Sequence, residues 1–312
     1  MDLHNKLEER LAKFLGYESA LLFSTGYQTS LGVIPTLAVK GDYIILDKED
    51  HACIVNGALT AKGAFTEFVR YKHNDMNDLE RVISELPPNA GKLIVTDGVF
   101  SVSGEIVDLP GLINVAKKYD AKVLVDDAHS IGVVGKGGRG VASLFNLTEQ
   151  TDLTMGTFSK TFASLGGFIV GPERVINYLK HQSAAIIFSA SPTPASCAAT
   201  LAALDILEEN PELVDKLISN ADKMRTGFKS LGFNVYESKT AIVPVIVGDP
   251  EAAFVMWRKL FDNGVFVNAF IPPGVPPNMS MMRTSYMASH EDTHLDYILE
   301  VFKKVGKELG II

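Results

Sequence analysis

Basic clusters, closely spaced cysteines and long uninterrupted apolar runs are all missing from this 312-residue sequence, and each absence removes a class of function. Lysine and arginine total 29 against 37 acidic residues, a formal net charge of −8. Nucleic-acid binders hold the phosphate backbone with clustered lysines and arginines, so no nucleic-acid partner is expected. The two cysteines, Cys53 and Cys197, stand far apart without metal-ligand spacing. They give no zinc signature, point to no metal site and fit a reducing, cytoplasmic compartment. The most apolar stretch, residues 183–207, is broken by Pro192, Pro194 and several hydroxyls. No transmembrane span is therefore expected, and peripheral contact with a membrane is left open. A Walker loop is also absent: GKGGRG (135–140) does not follow a strand–loop–helix pattern and reads as a glycine-rich turn.

What is present describes a globular chain, 46% hydrophobic and 21% charged, long enough for two domains. The start, MDLHNKLEERLAKFLG, spaces Leu3, Leu7, Leu11, Phe14 and Leu15 as one face of a helix, unlike a signal peptide. From residue 20 to about 170, apolar runs at 20–24, 43–47, 92–98, 122–130 and 166–171 read as buried strands, with helices at 78–86 and 109–119 between them. That alternation predicts an α/β fold with a mostly parallel central sheet covered by helices on both faces. A helix at 194–209 follows, and Pro211 opens another. We therefore expect a major domain over 1–210 and a smaller α+β domain over 211–312, with strands around 233–238, 241–249 and 281–289.

In such a sheet, functional residues gather at the carboxyl ends of the strands. Here those ends carry Ser24-Thr25-Gly26, Asp47 to His51, Asp97 to Ser101 and Asp126 to His129. Asp126 ends an apolar run, where a carboxylate is costly unless it meets a cation. One such cation is the protonated ring nitrogen of pyridoxal phosphate, whose other protein partner is a Schiff-base lysine. Lys160, in TMGTFSKTFASLGGF, has no acidic residue within its own stretch. A helix cap or an ion pair with Arg139 would equally account for Asp126. His129 is within reach of the same ring only if Asp126 is. Thr25, Gly26 and Tyr27 lie where a strand meets a helix, a place suited to phosphate, and Thr157 lies three residues before Lys160.

The motifs DHACIVNG, DGVFSVSGE, VDDAHSIGVVGKGGRG, GTFSKTFASLGGF and FSASPTP, in this order, resemble the α-oxoamine synthases. These are pyridoxal-phosphate enzymes of aminotransferase fold type I. The resemblance spans residues 1–312 and implies that Lys160 forms the Schiff base and Asp126 pairs with the ring nitrogen. It further implies that His51 stacks on the ring, that Ser101 and His129 lie near its phenolic oxygen, and that Thr157 with Gly26 and Tyr27 holds the phosphate. Ser189 would reach the cofactor phosphate of a neighbouring subunit, so a homodimer with shared active sites is implied. Arg283 would bind the amino-acid carboxylate through a planar two-bond grip. A surface ion pair for Arg283, or a ligand-free helix-start role for His51, would serve those residues equally well without a ligand.

The implied substrates are an amino acid and an acyl-CoA, joined by decarboxylative Claisen condensation. YKHNDMNDLE, TDGVFSVSGEI and FIPPGVPP are most similar to the bacterial branch that condenses L-serine with palmitoyl-CoA to 3-oxosphinganine. Alanine with a pimeloyl thioester, or glycine with an acetyl donor, keeps the chemistry with other substrates. A non-catalytic subunit of the same fold is the rival from another class. Family members carry a longer amino-terminal segment, with glycine-rich and asparagine-containing stretches, than precedes the first helix here. The methionines of PPNMSMMR read as a pliable patch for a long chain or as core filling.

Overall fold

A computed structural model describes residues 1–63 and 65–312. The chain divides into two compact units, residues 1–100 with 107–211, and residues 101–106 with 212–312. The short segment Ser101–Ile106 thus belongs with the second unit, whereas the sequence had suggested a single boundary near residue 210. Among the described residues, no helix is long and apolar enough to cross a membrane.

The first unit is built on seven strands: β1 (Ser19–Phe23), β2 (Tyr43–Asp47), β3 (Glu67–Tyr71), β4 (Lys92–Asp97), β5 (Lys122–Asp126), β6 (Leu153–Thr157) and β7 (Gly167–Gly171). They lie in the order β1-β7-β6-β5-β4-β2-β3. All pairs from β3 to β6 are parallel, and β7 alone runs against its neighbours β6 and β1. Its helices are α1 (Asp2–Leu15), α2 (Gly26–Leu37), α3 (Ala52–Lys62), α4 (Met76–Ser84), α5 (Leu109–Lys118), α6 (Gly140–Leu144), α7 (Glu173–Gln182), α8 (Ala184–Ile187) and α9 (Pro194–Glu209).

The runs YIILD, KLIVTD and KVLVD are rich in branched residues buried on both faces, as central parallel strands require. Leu46, Val95, Leu124 and Met155 pack against Ile34 and Ile54 in one core cluster. The α1 face expected from sequence is buried through Leu7, Leu11, Phe14 and Leu15, and the helix stops at Gly16, whose φ of 80° puts it in the left-handed region. Two strands of this unit escaped the sequence reading. β3 carries Glu67 and Arg70 at the sheet edge, and β6 is fully buried although its residues include Thr154, Gly156 and Thr157. The 166–171 run is a strand, as expected, but it is the reversed one.

The second unit holds an antiparallel sheet, β10-β11-β9-β8, made of β8 (Asn234–Val235), β9 (Ile242–Gly248), β10 (Asn268–Phe270) and β11 (Ser280–Ser285). Three helices accompany it: α10 (Glu212–Leu231), α11 (Pro250–Asp262) and α12 (Asp292–Glu308). Phe228, Phe233 and Phe302 cluster with ring centroids 4.7 to 6.0 Å apart. Met281 and Met282 are buried, so these two methionines fill this core. The Ser101–Ile106 segment is tied in by the bond from Tyr236 Oη to Glu105 Oε2 (3.0 Å) and by Thr240 Oγ1 donating to the Gly104 carbonyl (3.0 Å).

Candidate active site

Within the first unit, a cavity of about 310 Å³ opens at the carboxyl ends of β4, β5 and β6 and the starts of α2 and α3. This is the place where parallel sheets collect ligands. Lys160 reaches it from the turn after β6. That turn is anchored on either side by buried Phe158 and Phe162, with Phe158 stacked on Phe168 at 5.5 Å. The Ala163 N–H closes on the Lys160 carbonyl at 3.0 Å, and Thr161 Oγ1 donates to Ile131 O at 2.8 Å. The apolar neighbours that flank the lysine in sequence are therefore the pegs that hold its turn.

Asp126 is the last residue of β5 and is buried. Its Oδ1 accepts the Ala128 N–H at 3.0 Å, and the Cys53 thiol lies 3.6 Å from its Oδ2. Burial pushes the Asp126 carboxyl upward, and the Lys160 ammonium acts against that push. Arg139 does not supply the counter-charge: it donates to the carbonyls of Phe14 and Lys136 at 2.9 and 3.1 Å. GKGGRG makes a turn in which Gly135, Gly137, Gly138 and Gly140 have positive φ, as its glycines suggested.

His51 is the N-cap of α3 and also lines the cavity. Burial and the Lys160 charge lower its basicity against the pull of Asp126, burial being the larger effect. Thr25 caps α2 through its Oγ1, which accepts the Gln28 N–H at 3.0 Å. Gly26 follows, and a Cβ there would fall 2.6 Å from Thr157 Cβ. The glycine thus lets β6 and the amino end of α2 approach closely, with the Thr157 hydroxyl donating to the Gly166 carbonyl at 3.1 Å.

Thr25, Gly26, Tyr27, His51, Asp126, His129, Thr157 and Lys160 are brought together in this one cavity. Ser189 lies in a separate groove with His4, Phe23 and Pro192. Ser101 and Arg283 belong to the second unit, where Arg283 Nε donates to the Ser101 carbonyl at 2.6 Å. Among the described residues Arg283 makes no ion pair, and burial disfavours its charge, so the surface ion pair offered as an alternative did not form. Cys53 and Asp97 also line the cavity; the sequence reading placed Asp97 at a strand end without a role and missed Cys53. The signal for Asp97 was its place at the end of an apolar run; Cys53, two residues past His51, gave none beyond its count.

The model of the aminotransferase class I and II family matches residues 1–302. A curated serine palmitoyltransferase of Sphingobacterium spiritivorum is 44% identical over 311 residues, covering all of this chain and 77% of the relative. An 8-amino-7-oxononanoate synthase of Thermoanaerobacter pseudethanolicus is 42% identical over 313 residues, again with the whole chain and 78% of the relative. Among solved structures, serine palmitoyltransferase from S. paucimobilis, with a bound PLP–myriocin aldimine, superposes with a TM-score of 0.96 at 37% identity, covering all of this chain and 78% of that one.

Proposed function

The chain belongs to the aminotransferase class I and II family, within it to the α-oxoamine synthases, and from that premise we propose that it condenses L-serine with palmitoyl-CoA. The products are 3-oxosphinganine, carbon dioxide and free CoA. The observation that carries the reading is the meeting of Lys160 and Asp126 in one cavity with a helix amino terminus. The donor set suits pyridoxal phosphate: an amine for its aldehyde, a carboxylate for its ring nitrogen, an imidazole for its face, and N–H groups beside Thr157 for its phosphate. The glycine at 26 leaves the approach open.

Pyridoxal phosphate, when bound, supplies an electron sink for negative charge developing at the amino-acid Cα. The other steps fall to the chain. Lys160 removes the Cα proton and later returns one, a role suited to an amine whose turn is fixed by Phe158 and Phe162. Asp126 stays ionised to hold a positive ring nitrogen, which offsets the cost of burying the carboxylate. His129 serves the phenolic oxygen, and Ser101 assists there. Arg283 grips the amino-acid carboxylate with its planar fork. Ser189 lies outside the cavity beside Phe188 and Ile187, which are 85% and 52% exposed. It is read as reaching the cofactor phosphate of a second copy in a homodimer.

The near-equal identity to an 8-amino-7-oxononanoate synthase supports a second substrate pair, alanine with a pimeloyl thioester. The test begins with cofactor uptake: the protein mixed with pyridoxal phosphate gains a visible absorbance band that shifts on adding L-serine and is absent in Lys160→Ala. Mass spectrometry then compares serine, alanine and glycine against short and long acyl thioesters, and 3-oxosphinganine is expected. A chain that takes up no cofactor is a non-catalytic subunit. One that consumes alanine in preference to serine overturns the substrate assignment.

A further inference from the structure

Two buried carboxylates at the cavity wall, Asp50 and Asp97, form a hydrogen-bonded chain that ends on the cavity-lining His51. Asp50 accepts from two strands at once: Oδ2 takes the Asp47 N–H at the end of β2 (2.7 Å), and Oδ1 takes the Asp97 N–H at the end of β4 (3.0 Å). Asp97, 3% exposed, passes the connection on, its Oδ2 accepting the backbone N–H of His51 at 2.7 Å. As an N-cap, His51 has no helical acceptor for that N–H, and an unpaired one inside the protein is costly. The imidazole is held a second time, since its Nδ1 accepts the Cys53 N–H at 3.2 Å. Assigning Nδ1 as the acceptor of that N–H puts the ring proton on Nε2, and the Cys53 Sγ, 2.9 Å from the same Nδ1, then acts as its second donor.

We propose that Asp97 is a positioning residue for His51: by fixing the His51 backbone at the α3 N-cap, it holds the imidazole at the cavity wall as the Nε2–H tautomer. The role rests on the reading that this cavity takes pyridoxal phosphate. It differs from that of Asp126, its register neighbour on β5, which on that reading would pair with the ring nitrogen. Without the Asp97 acceptor, the His51 N–H would seek another partner by rotating the peptide, and the Cys53–Nδ1 bond depends on that same backbone. The charged and titratable groups around His51 are Asp97, Asp126, Lys160 and Cys53. Burial opposes a second proton on the ring, in keeping with a neutral capping imidazole.

The experiment uses the full chain with Asp97→Leu, which keeps approximate shape without an acceptor, and Asp97→Asn, which keeps a carbonyl acceptor. In the cofactor-free protein, nitrogen-15 NMR of labelled histidine reads the His51 tautomer, assigned with His51→Gln. Wild type and Asp97→Asn are expected to show a protonated Nε2 and bare Nδ1, whereas Asp97→Leu shows a mixture. Titration with pyridoxal phosphate is expected to give a Kd about tenfold weaker for Asp97→Leu and within about twofold of wild type for Asp97→Asn. The proposal is overturned by a wild-type proton on Nδ1, by Asp97→Leu matching wild type, or by Asp97→Asn failing as badly as Asp97→Leu. If Asp97→Leu does not fold while Asp97→Asn does, Asp97 serves the fold at large, and the proposal falls equally. The tautomer is read without cofactor or substrates, so a failed condensation assay removes the proposed function and leaves this result standing, and the reverse holds too.

Discussion

The first unit buries carboxylates at Asp47, Asp50, Asp97, Asp126 and Asp127, whereas the second carries most of its acids on the surface, where Lys223 faces Asp292 and Asp296, Lys229 faces Glu237 and Lys259 faces Glu308. The surface pairs are solvated at both ends and add little, because water and salt screen them. The buried acids are satisfied mainly by backbone N–H groups at strand ends, as in Asp50 with two and Asp126 with one. Burial raises Asp50, Asp97 and Asp126 alike, and their mutual repulsion raises Asp50 and Asp97 further. Such a cluster cannot ionise throughout. The Lys160 ammonium lowers the cost of a charge at Asp126. The second unit has its own exception in Arg283, a partly buried cation with no ion pair among the described residues. Where each unit departs from surface pairing, it leaves a charge suited to a ligand.

Asp126→Asn breaks this contrast most severely. The amide keeps an acceptor for the Ala128 N–H and nearly the same volume but cannot carry charge. Turnover is expected to fall by about a hundredfold or more, the scale of losing a preorganised electrostatic contact. Steady-state kinetics on cofactor-loaded protein check this, and a rate within threefold of wild type would mean that the buried charge has no catalytic use. Arg283→Lys tests the counterpart: charge is kept and the planar fork lost. KM for the amino acid is expected to rise about ten- to a hundredfold with a smaller change in kcat, as for loss of a ground-state grip.

These residues were legible to different degrees. The strand-end carboxylates stood out because apolar runs terminate on them, and α9 lies where the sequence placed a helix, opened by Pro194 and capped by Thr193. β6 was hidden by its own hydroxyls, which find partners only in three dimensions: Thr154 with Tyr17 (2.8 Å) and Thr157 with the Gly166 carbonyl (3.1 Å). Once β6 is recognised, the reversal of β7 follows, because the segment 158–166 is too short for a parallel crossover. The roles of Lys160 and Asp126 came through family resemblance more than from spacing. Cys53, and the use of Asp97 beyond its strand-end place, were out of reach because they depend on contact with His51 and Asp126 across the sheet, which no local pattern encodes.

Asp127 sharpens the comparison in a smaller way, through stability. It neighbours Asp126 yet does not line the cavity, and burial pushes it up to about 7 against the bond from the Val141 N–H. A folded-state value above the unfolded one means that the folded chain binds the proton more tightly. This stabilising contribution is complete below the unfolded value of about 4 and is lost as pH rises towards 7, at up to about 1.4 kcal/mol per pH unit. Asp127→Asn removes the titration. Urea unfolding at pH 5 and pH 8 is expected to show a smaller loss of stability for the variant than for the wild type; equal losses would place the pH dependence elsewhere.

The smallest effect is expected at Lys223, and its smallness is the informative part. Its ammonium sits 2.8 Å from Asp292 and 2.7 Å from Asp296, both largely exposed, and the two acids raise its basicity. Close geometry alone would suggest a strong contact. Exposure argues otherwise, since holding a long side chain between two solvated acids costs rotamer entropy that nearly cancels the attraction. Lys223→Ala should leave kcat/KM within about twofold and move Tm by no more than about 2 °C, with even that difference shrinking as salt is added. A tenfold loss of activity would show that the surface pairs of the second unit bear on the reaction after all. The division between buried, ligand-directed charge and solvated, self-cancelling charge would then have to be abandoned.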